Sequence, residues 1–215
     1  MKVVIFSGGN ILDGFFVRKS IKDAEYIIAA DHGAEKAHEF KIFPHIVVGD
    51  FDSISKKHLD FLKNKNIEIV SSKVQKDETD TELAVQTALQ KGATKIAILG
   101  GTEENRLDHV LANISLTRFS QTVPIYFING NQKNWVEKGP KEVVIEGQKN
   151  DLLSLIPLTE VVTNITTKNL IYPLLNEPLY FGKPRGISNI FSQNTVTVSF
   201  TQGFLLFTHT YVDKK

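Results

Sequence analysis

Through the first 130 residues, short apolar runs alternate with longer stretches of mixed polarity. The runs KVVIF (2–6), YIIAA (26–30), HIVV (45–48), IEIV (67–70), KIAILG (95–100) and PIYFI (124–128) are rich in Val and Ile. Between most of them lies enough chain for a helix. Such runs predict strands buried on both faces, hence a mostly parallel sheet wound on both sides by helices. The clearest helix is predicted over residues 79 to 91. It opens with Thr79-x-x-Glu82, a capping-box pattern, carries Leu83, Ala84, Thr87 and Ala88 on one stripe, and closes at Gly92.

Beyond NGNQKNW (129–135) the helical period disappears, and five of the seven prolines (Pro140, Pro157, Pro173, Pro178, Pro184) fall in the last 85 residues. A second domain is expected over 131–215, after an α/β domain over 1–130. TVTVSF (195–200) alternates Val196, Val198 and Phe200 against Thr195, Thr197 and Ser199. TQG then leads into FLLFTHTYV (204–212), which reads as an antiparallel hairpin. With DLLSLIPL (151–158) and VVTNITT (161–167) upstream, a small antiparallel β-sandwich is predicted. The expected fold class is α/β, a doubly wound sheet followed by that smaller sandwich.

Composition narrows the function. Lys plus Arg number 25 against 24 Asp plus Glu, so no global field points to nucleic acid or an anionic membrane. The absence of cysteine excludes disulfides, thiolate zinc sites and thiol nucleophiles, and fits a reducing compartment, the cytoplasm. The N-terminal apolar run is too short for a signal-peptide core, and no later run reaches membrane-spanning length. The six histidines lack metal-ligand spacing, and Trp135 and most of the 14 Phe residues read as core.

In a doubly wound sheet the loops leaving the carboxyl ends of the strands share one edge, where ligands bind. The polar motifs should converge there: ADHGA (Asp31, Gly33), GDFDS (Asp50, Asp52), KDETD (Lys76, Asp77, Asp80) and GGTEENRLDHVLAN (Gly100, Gly101, Arg106, Asp108, His109). Carboxylates crowded on one edge repel each other unless a cation compensates. An all-oxygen set without histidine or cysteine clusters favours Mg²⁺ over zinc or copper. Asp77 and Asp80 also suit a helix N-terminus on structural grounds alone, and Asp108 starts a helical stretch. Gly100-Gly101 is either a tight turn or a place where backbone amides approach a phosphate. Neither G-x-x-x-x-G-K-[ST] nor G-x-G-x-x-G occurs, so a P-loop and the usual dinucleotide fingerprint are excluded.

Taken in order, ADHGA, GDFDS, KDETDTELA, GGTEENRLDHVLAN, SLIPLTEVVTNITTKNLIYPL and RGISN resemble the bacterial type of the thiamine pyrophosphokinase family, over essentially the whole chain. The resemblance implies an α/β domain, a β-sandwich, and a homodimer with active sites between subunits. It also implies Mg²⁺-dependent transfer of a diphosphate from ATP to thiamine, giving thiamine diphosphate and AMP. Carried over, Asp50, Asp52, Asp77 and Asp80 match the acidic metal and catalytic positions. Arg106 and Asp108 match an R-x-D element near the nucleotide, and Ser188 and Asn189 match the segment that meets thiamine. Three departures stand out: His32 where a glycine is common, Glu103 to Asn105 in place of a glycine-rich turn, and Ile190 where an acidic residue is frequent.

On this reading Asp50, Asp52 and Asp77 hold the metal and Asp80 orients or deprotonates the thiamine hydroxyl. Asp31, Gly33, Lys76, Gly100, Gly101, Thr102, Arg106, His109 and Asn113 serve the nucleotide and its polyphosphate. Two other readings stay open. D-x-D after a strand also occurs in Mg²⁺-dependent phosphohydrolases, and a thiamine- or nucleotide-binding module without turnover would need the same pockets.

Overall fold

The structure is a computed structural model that describes residues 1–51, 54, 62, 64–65, 67–71, 78–101 and 106–213. The chain divides into two compact units, Met1–Gly130 and Asn131–Lys215.

In unit 1 the described strands are β1 (Lys2–Phe6), β2 (Tyr26–Ala30), β3 (Ile46–Gly49), β4 (Glu68–Ser71), β5 (Lys95–Leu99) and β6 (Ile125–Asn129). They follow the six apolar runs. Every pairing is parallel, in the order β6-β5-β1-β2-β3-β4. The chain winds outward in one direction from β1 to β4, then restarts on the other side of β1 with β5 and β6. The reversal between β1 and β5 is a topological switch point, where the two crossovers diverge and leave a crevice. Four helices are described: α1 (Phe15–Lys22), α2 (Gly33–Glu39), α3 (Asp80–Gln90) and α4 (Leu107–Leu116). Among the described residues no helix is long and apolar enough to cross a membrane.

The α3 helix shows why the first unit folds as it does. Thr79 adopts an extended conformation and its Oγ1 accepts the Glu82 N–H at 3.1 Å, so the predicted cap forms. The helix ends ahead of Gly92, which takes φ +83°. Its buried stripe is Thr81, Ala84, Val85 and Ala88 rather than the predicted Leu83, Ala84, Thr87 and Ala88. Leu83 and Thr87 are half-buried, and the Thr87 hydroxyl donates to the Leu83 carbonyl at 2.8 Å. The hydroxyl's own acceptor is on the helix, so that face can stay at the margin. The two alanines let α3 sit close to Val3, Ile5, Ile28, Ile46 and Val48, burying one side of the sheet.

Unit 2 is an antiparallel sandwich of two four-stranded layers. One layer runs β12 (Asn189–Ile190), β9 (Leu152–Pro157), β14 (Phe204–Thr210), β7 (Gln132–Lys138); the other runs β11 (Glu177–Tyr180), β10 (Val161–Lys168), β13 (Thr195–Phe200), β8 (Lys141–Glu146). TVTVSF and FLLFTHTYV form strands, but the predicted hairpin between them does not exist. β13 pairs with β8 and β10, whereas β14 pairs with β7 and β9. The turn at 201–203 instead carries the chain from one layer to the other, with Gly203 at φ +94°. Each strand has an apolar face to bury, and a hairpin would have placed both faces in one layer with nothing opposite. Crossing sets Phe200 against Phe207, ring centres 6.4 Å apart, across the core.

A polar pair, Asp151 and His209, lies deep in unit 2. Asp151, fully buried, accepts the N–H groups of Gln148 and Val212 at 3.0 Å each, and His209 Nε2 lies 2.8 Å from its Oδ2. The His209 ring stacks on Phe191, 5.0 Å between centres. Burial pushes the His209 imidazole below its usual range, against the pull of Asp151 in the other direction.

Candidate active site

The carboxyl edge of the unit 1 sheet gathers the acidic residues by backbone geometry. Asp31 follows β2 in a left-handed conformation, φ +45°, its N–H donating to Val48 O at 2.8 Å and its carbonyl accepting from Ala34 N at 3.0 Å. It is 7% exposed. A left-handed non-glycine residue at the end of a buried strand is strained by the order of 1 kcal/mol, a pattern that accompanies functional sites.

Asp50 arrives beside it because of the residue before it. Gly49 takes φ +152°, and a Cβ there would stand 3.0 Å from the Asp31 Cβ. Only glycine lets β3 end this near to Asp31. Asp80 enters from a third direction, as the first residue of α3. One carboxylate oxygen from each of Asp31, Asp50 and Asp80 lies within 4.8 Å of the other two.

Three negative charges at that separation destabilise one another unless a cation or proton intervenes. Oxygen-only donors at this spacing, one of them buried, suit a hard divalent ion, which takes one or two carboxylates directly and leaves positions for water or phosphate. The donor set therefore fits Mg²⁺. Of the three aspartates expected as ligands, Asp50 is in the cluster. Asp52 and Asp77 lie outside the described residues, as do Lys76, Thr102 and Glu103 to Asn105.

Beside the acidic cluster is a cleft of about 620 Å³ at the β1/β5 switch point. Its walls include Asp31, Asp80, Thr81, Gly100, Gly101, His109 and Asn113. Gly100 and Gly101 have structural reasons to be glycine. Gly100 takes φ +80° against the Ser7 and Gly9 carbonyls, and a Cβ on Gly101 would stand 1.6 Å from the Phe127 ring. The Asn113 amide donates to the Gly101 carbonyl at 2.8 Å and fixes that turn to α4. Gly33 begins α2 but is absent from the lining of the cleft; a Cβ there would strike the Phe6 carbonyl at 2.0 Å.

Arg106 and Asp108 form a fork at the start of α4, Nε to Oδ1 at 3.1 Å and Nη2 to Oδ2 at 2.8 Å, with His109 Nε2 2.7 Å from the same Nη2. The Arg106 hydrogen bonds hold the exposed Asp108 carboxyl at about 2. His109 therefore acts at the helix start and also faces the cleft.

Ser7, Gly8 and Gly9, which are not among the expected site residues, line the cleft directly after β1. His32 lines it too, its Nδ1 3.5 Å from Glu35 Oε2. The signal was present: SGGN follows the first strand of a doubly wound sheet, the turn where such folds hold ligands.

Ser188 and Asn189 belong to unit 2. Ser188 is exposed, with φ +54°, and its N–H donates to Ser154 Oγ at 2.9 Å. Asn189 is buried, and its amide is engaged internally: Oδ1 accepts from Tyr172 N (3.1 Å) and Ile190 N (2.9 Å), and Nδ2 donates to Tyr172 O (2.6 Å). Ile190, in β12, pairs with Leu152 of β9.

Residues 17–127 match the family model described as Thiamin pyrophosphokinase, catalytic domain, and residues 141–205 that of Thiamin pyrophosphokinase, vitamin B1 binding domain. The chain is 31% identical over 181 residues to Thiamine pyrophosphokinase of Bacillus subtilis (strain 168), covering 83% of this chain and 84% of that one. It is 33% identical over 179 residues to Thiamin pyrophosphokinase 1 of Caenorhabditis elegans, covering 77% and 71% respectively. The crystal structure of Thiamine pyrophosphokinase from Bacillus subtilis superposes with a TM-score of 0.85 at 28% identity, over 98% of this chain and 99% of that one. With a large, mostly parallel sheet, a separate antiparallel sheet and matches across both units, the chain belongs to the thiamin pyrophosphokinase family and is a transferase of the kinase type.

Proposed function

We propose that the protein transfers a diphosphate from ATP to the hydroxyl of thiamine in a Mg²⁺-dependent reaction, giving thiamine diphosphate and AMP. The observation that carries this reading is the meeting of Asp31, Asp50 and Asp80 within 4.8 Å beside a cleft able to take a nucleotide. These three carboxylates would hold the metal, with Asp52 and Asp77 completing the acidic set as the sequence suggests. The bound ion supplies neutralisation of charge on the phosphate oxygens.

The remaining work falls to side chains and backbone. Small residues along the cleft leave room for the nucleotide, and Asn113 fixes the Gly101 turn beneath it. Arg106, oriented by Asp108, presents a cation toward the polyphosphate, and Lys76 adds a second. The thiamine oxygen attacks the β-phosphorus, the bond from that phosphorus to the α–β bridging oxygen breaks, and AMP leaves with that oxygen. The hydroxyl proton passes to a carboxylate oxygen of the set that the ion does not engage. The fixed positive charge of the thiazolium ring suits an acidic edge. In unit 2 we assign contact with the aminopyrimidine to exposed Ser188, and to Asn189 the job of fixing the segment that carries it. A homodimer with active sites between subunits, in the cytoplasm, completes the proposal.

Incubation with ATP, Mg²⁺ and thiamine tests it. AMP and thiamine diphosphate should appear together and only when all three are present. Steady phosphate release without thiamine would replace the reading with a phosphohydrolase. Tight thiamine binding in calorimetry with no product by mass spectrometry would replace it with a binding module. Sedimentation velocity should give twice the mass of one chain.

A further inference from the structure

Two hydroxyls to which the sequence reading gave no role meet in the lining of the cleft, beside the acidic cluster. Ser7 Oγ and Thr81 Oγ1 are 2.9 Å apart, both residues 8% exposed. Ser7 is the first residue after β1, and its N–H donates to Leu99 O at 2.8 Å, so it is fixed across the β1/β5 switch point. Thr81 directly follows Asp80 in the first turn of α3. The cap at Thr79 holds that turn together internally. Thr81 ties it to the end of β1 through its hydrogen bond with Ser7, in surroundings where losing that bond strands a buried hydroxyl.

Resting on the reading of Asp31, Asp50 and Asp80 as a metal-holding set, we propose that the Ser7–Thr81 pair is a positioning clamp that keeps Asp80 within reach of Asp31 and Asp50. Asp31 and Asp50 need no such device, because the Asp31-to-Val48 hydrogen bond and the Gly49 approach tie them through neighbouring strands. Asp80 comes from a helix across the sheet. A shift of that helix start opens one side of the set while leaving the other two carboxylates in place.

The probe is Mn²⁺ alone, titrated into the full-length protein and followed by electron paramagnetic resonance of the free ion. Thr81→Val keeps shape and removes the hydroxyl; it should weaken Mn²⁺ binding about fivefold, and Thr81→Ser should restore it to within about twofold. Ser7→Ala reads the same bond from the other end and should match Thr81→Val, while the double variant should be no weaker than either single one. Kinetically, the KM for Mg²⁺ should rise while the KM for thiamine stays unchanged. Wild-type Mn²⁺ affinity in Thr81→Val and Ser7→Ala, or failure of Thr81→Ser to restore it, overturns the clamp. Should Thr81→Val not fold, Ser7→Ala with Thr81→Ser decides alone. Asp50→Asn separates the two readings: if it too binds Mn²⁺ like wild type, the metal-holding set is wrong, whereas lost binding there with unchanged binding in the hydroxyl variants removes only the clamp.

Discussion

At the scale of single residues, backbone conformation brings two of the site's carboxylates together. Asp31 is in a left-handed conformation, and Asp50 follows a glycine at φ +152°. Asp50→Asn should therefore keep the circular dichroism spectrum of the wild type and lower turnover by roughly 100-fold or more, since it removes a carboxylate from the metal-holding set; unchanged kinetics would remove Asp50 from the mechanism. The same scale contains a titration. Because burial lowers the folded-state pKa of His209 below the unfolded value of about 6.5, the folded protein keeps this ring neutral where the unfolded chain takes up a proton. Its contribution to stability is present above about pH 6.5 and is lost as the pH falls below it. Urea midpoints should decline between pH 7 and 5, and His209→Gln, which cannot titrate, should show a flatter profile over that interval.

At the scale of elements, strand ends and helix starts are fitted to each other with little tolerance. The Gly101 position after β5 meets Phe127 of β6, where a Cβ would stand 1.6 Å from the ring. Gly101→Ala must displace that ring or the turn, and should lower stability by about 2–3 kcal/mol in denaturant titration. A loss under about 0.5 kcal/mol would show that β6 yields easily. Elements also account for two of the differences between expectation and structure. The buried stripe of α3 begins at Thr81, because the helix meets the sheet with the face that also carries its clamp. In unit 2, alternation in TVTVSF told which residues point inward but not which strands they lie beside. A three-residue turn serves equally for a hairpin and for a passage between layers, and the choice rests on which apolar faces need covering.

At the scale of the whole molecule, the match to one family covers both units. The proposed activity requires an ion, and among the described residues the set that would hold it consists of the carboxylates of Asp31, Asp50 and Asp80. Chelation should accordingly abolish AMP formation while the far-ultraviolet spectrum stays unchanged, and added Mg²⁺ should restore it. Unfolding on chelation would instead assign the ion a structural role.

The sequence by itself determined the six parallel strands of unit 1, the cap of α3, the inward residues of β13, and the motifs that identify the family, because each of these is written in local periodicity or in a short ordered string. The order of strands and loops also led to the expectation that Asp31, Asp50 and Asp80 share one edge; tertiary structure alone decided that these three carboxylates come within 4.8 Å of one another, that β13 and β14 part into separate layers, and that Ser7 meets Thr81. The residues of each of these pairings come from separate strands and helices, and the distance between them depends on how the elements pack. Spacing along a chain carries no record of that distance.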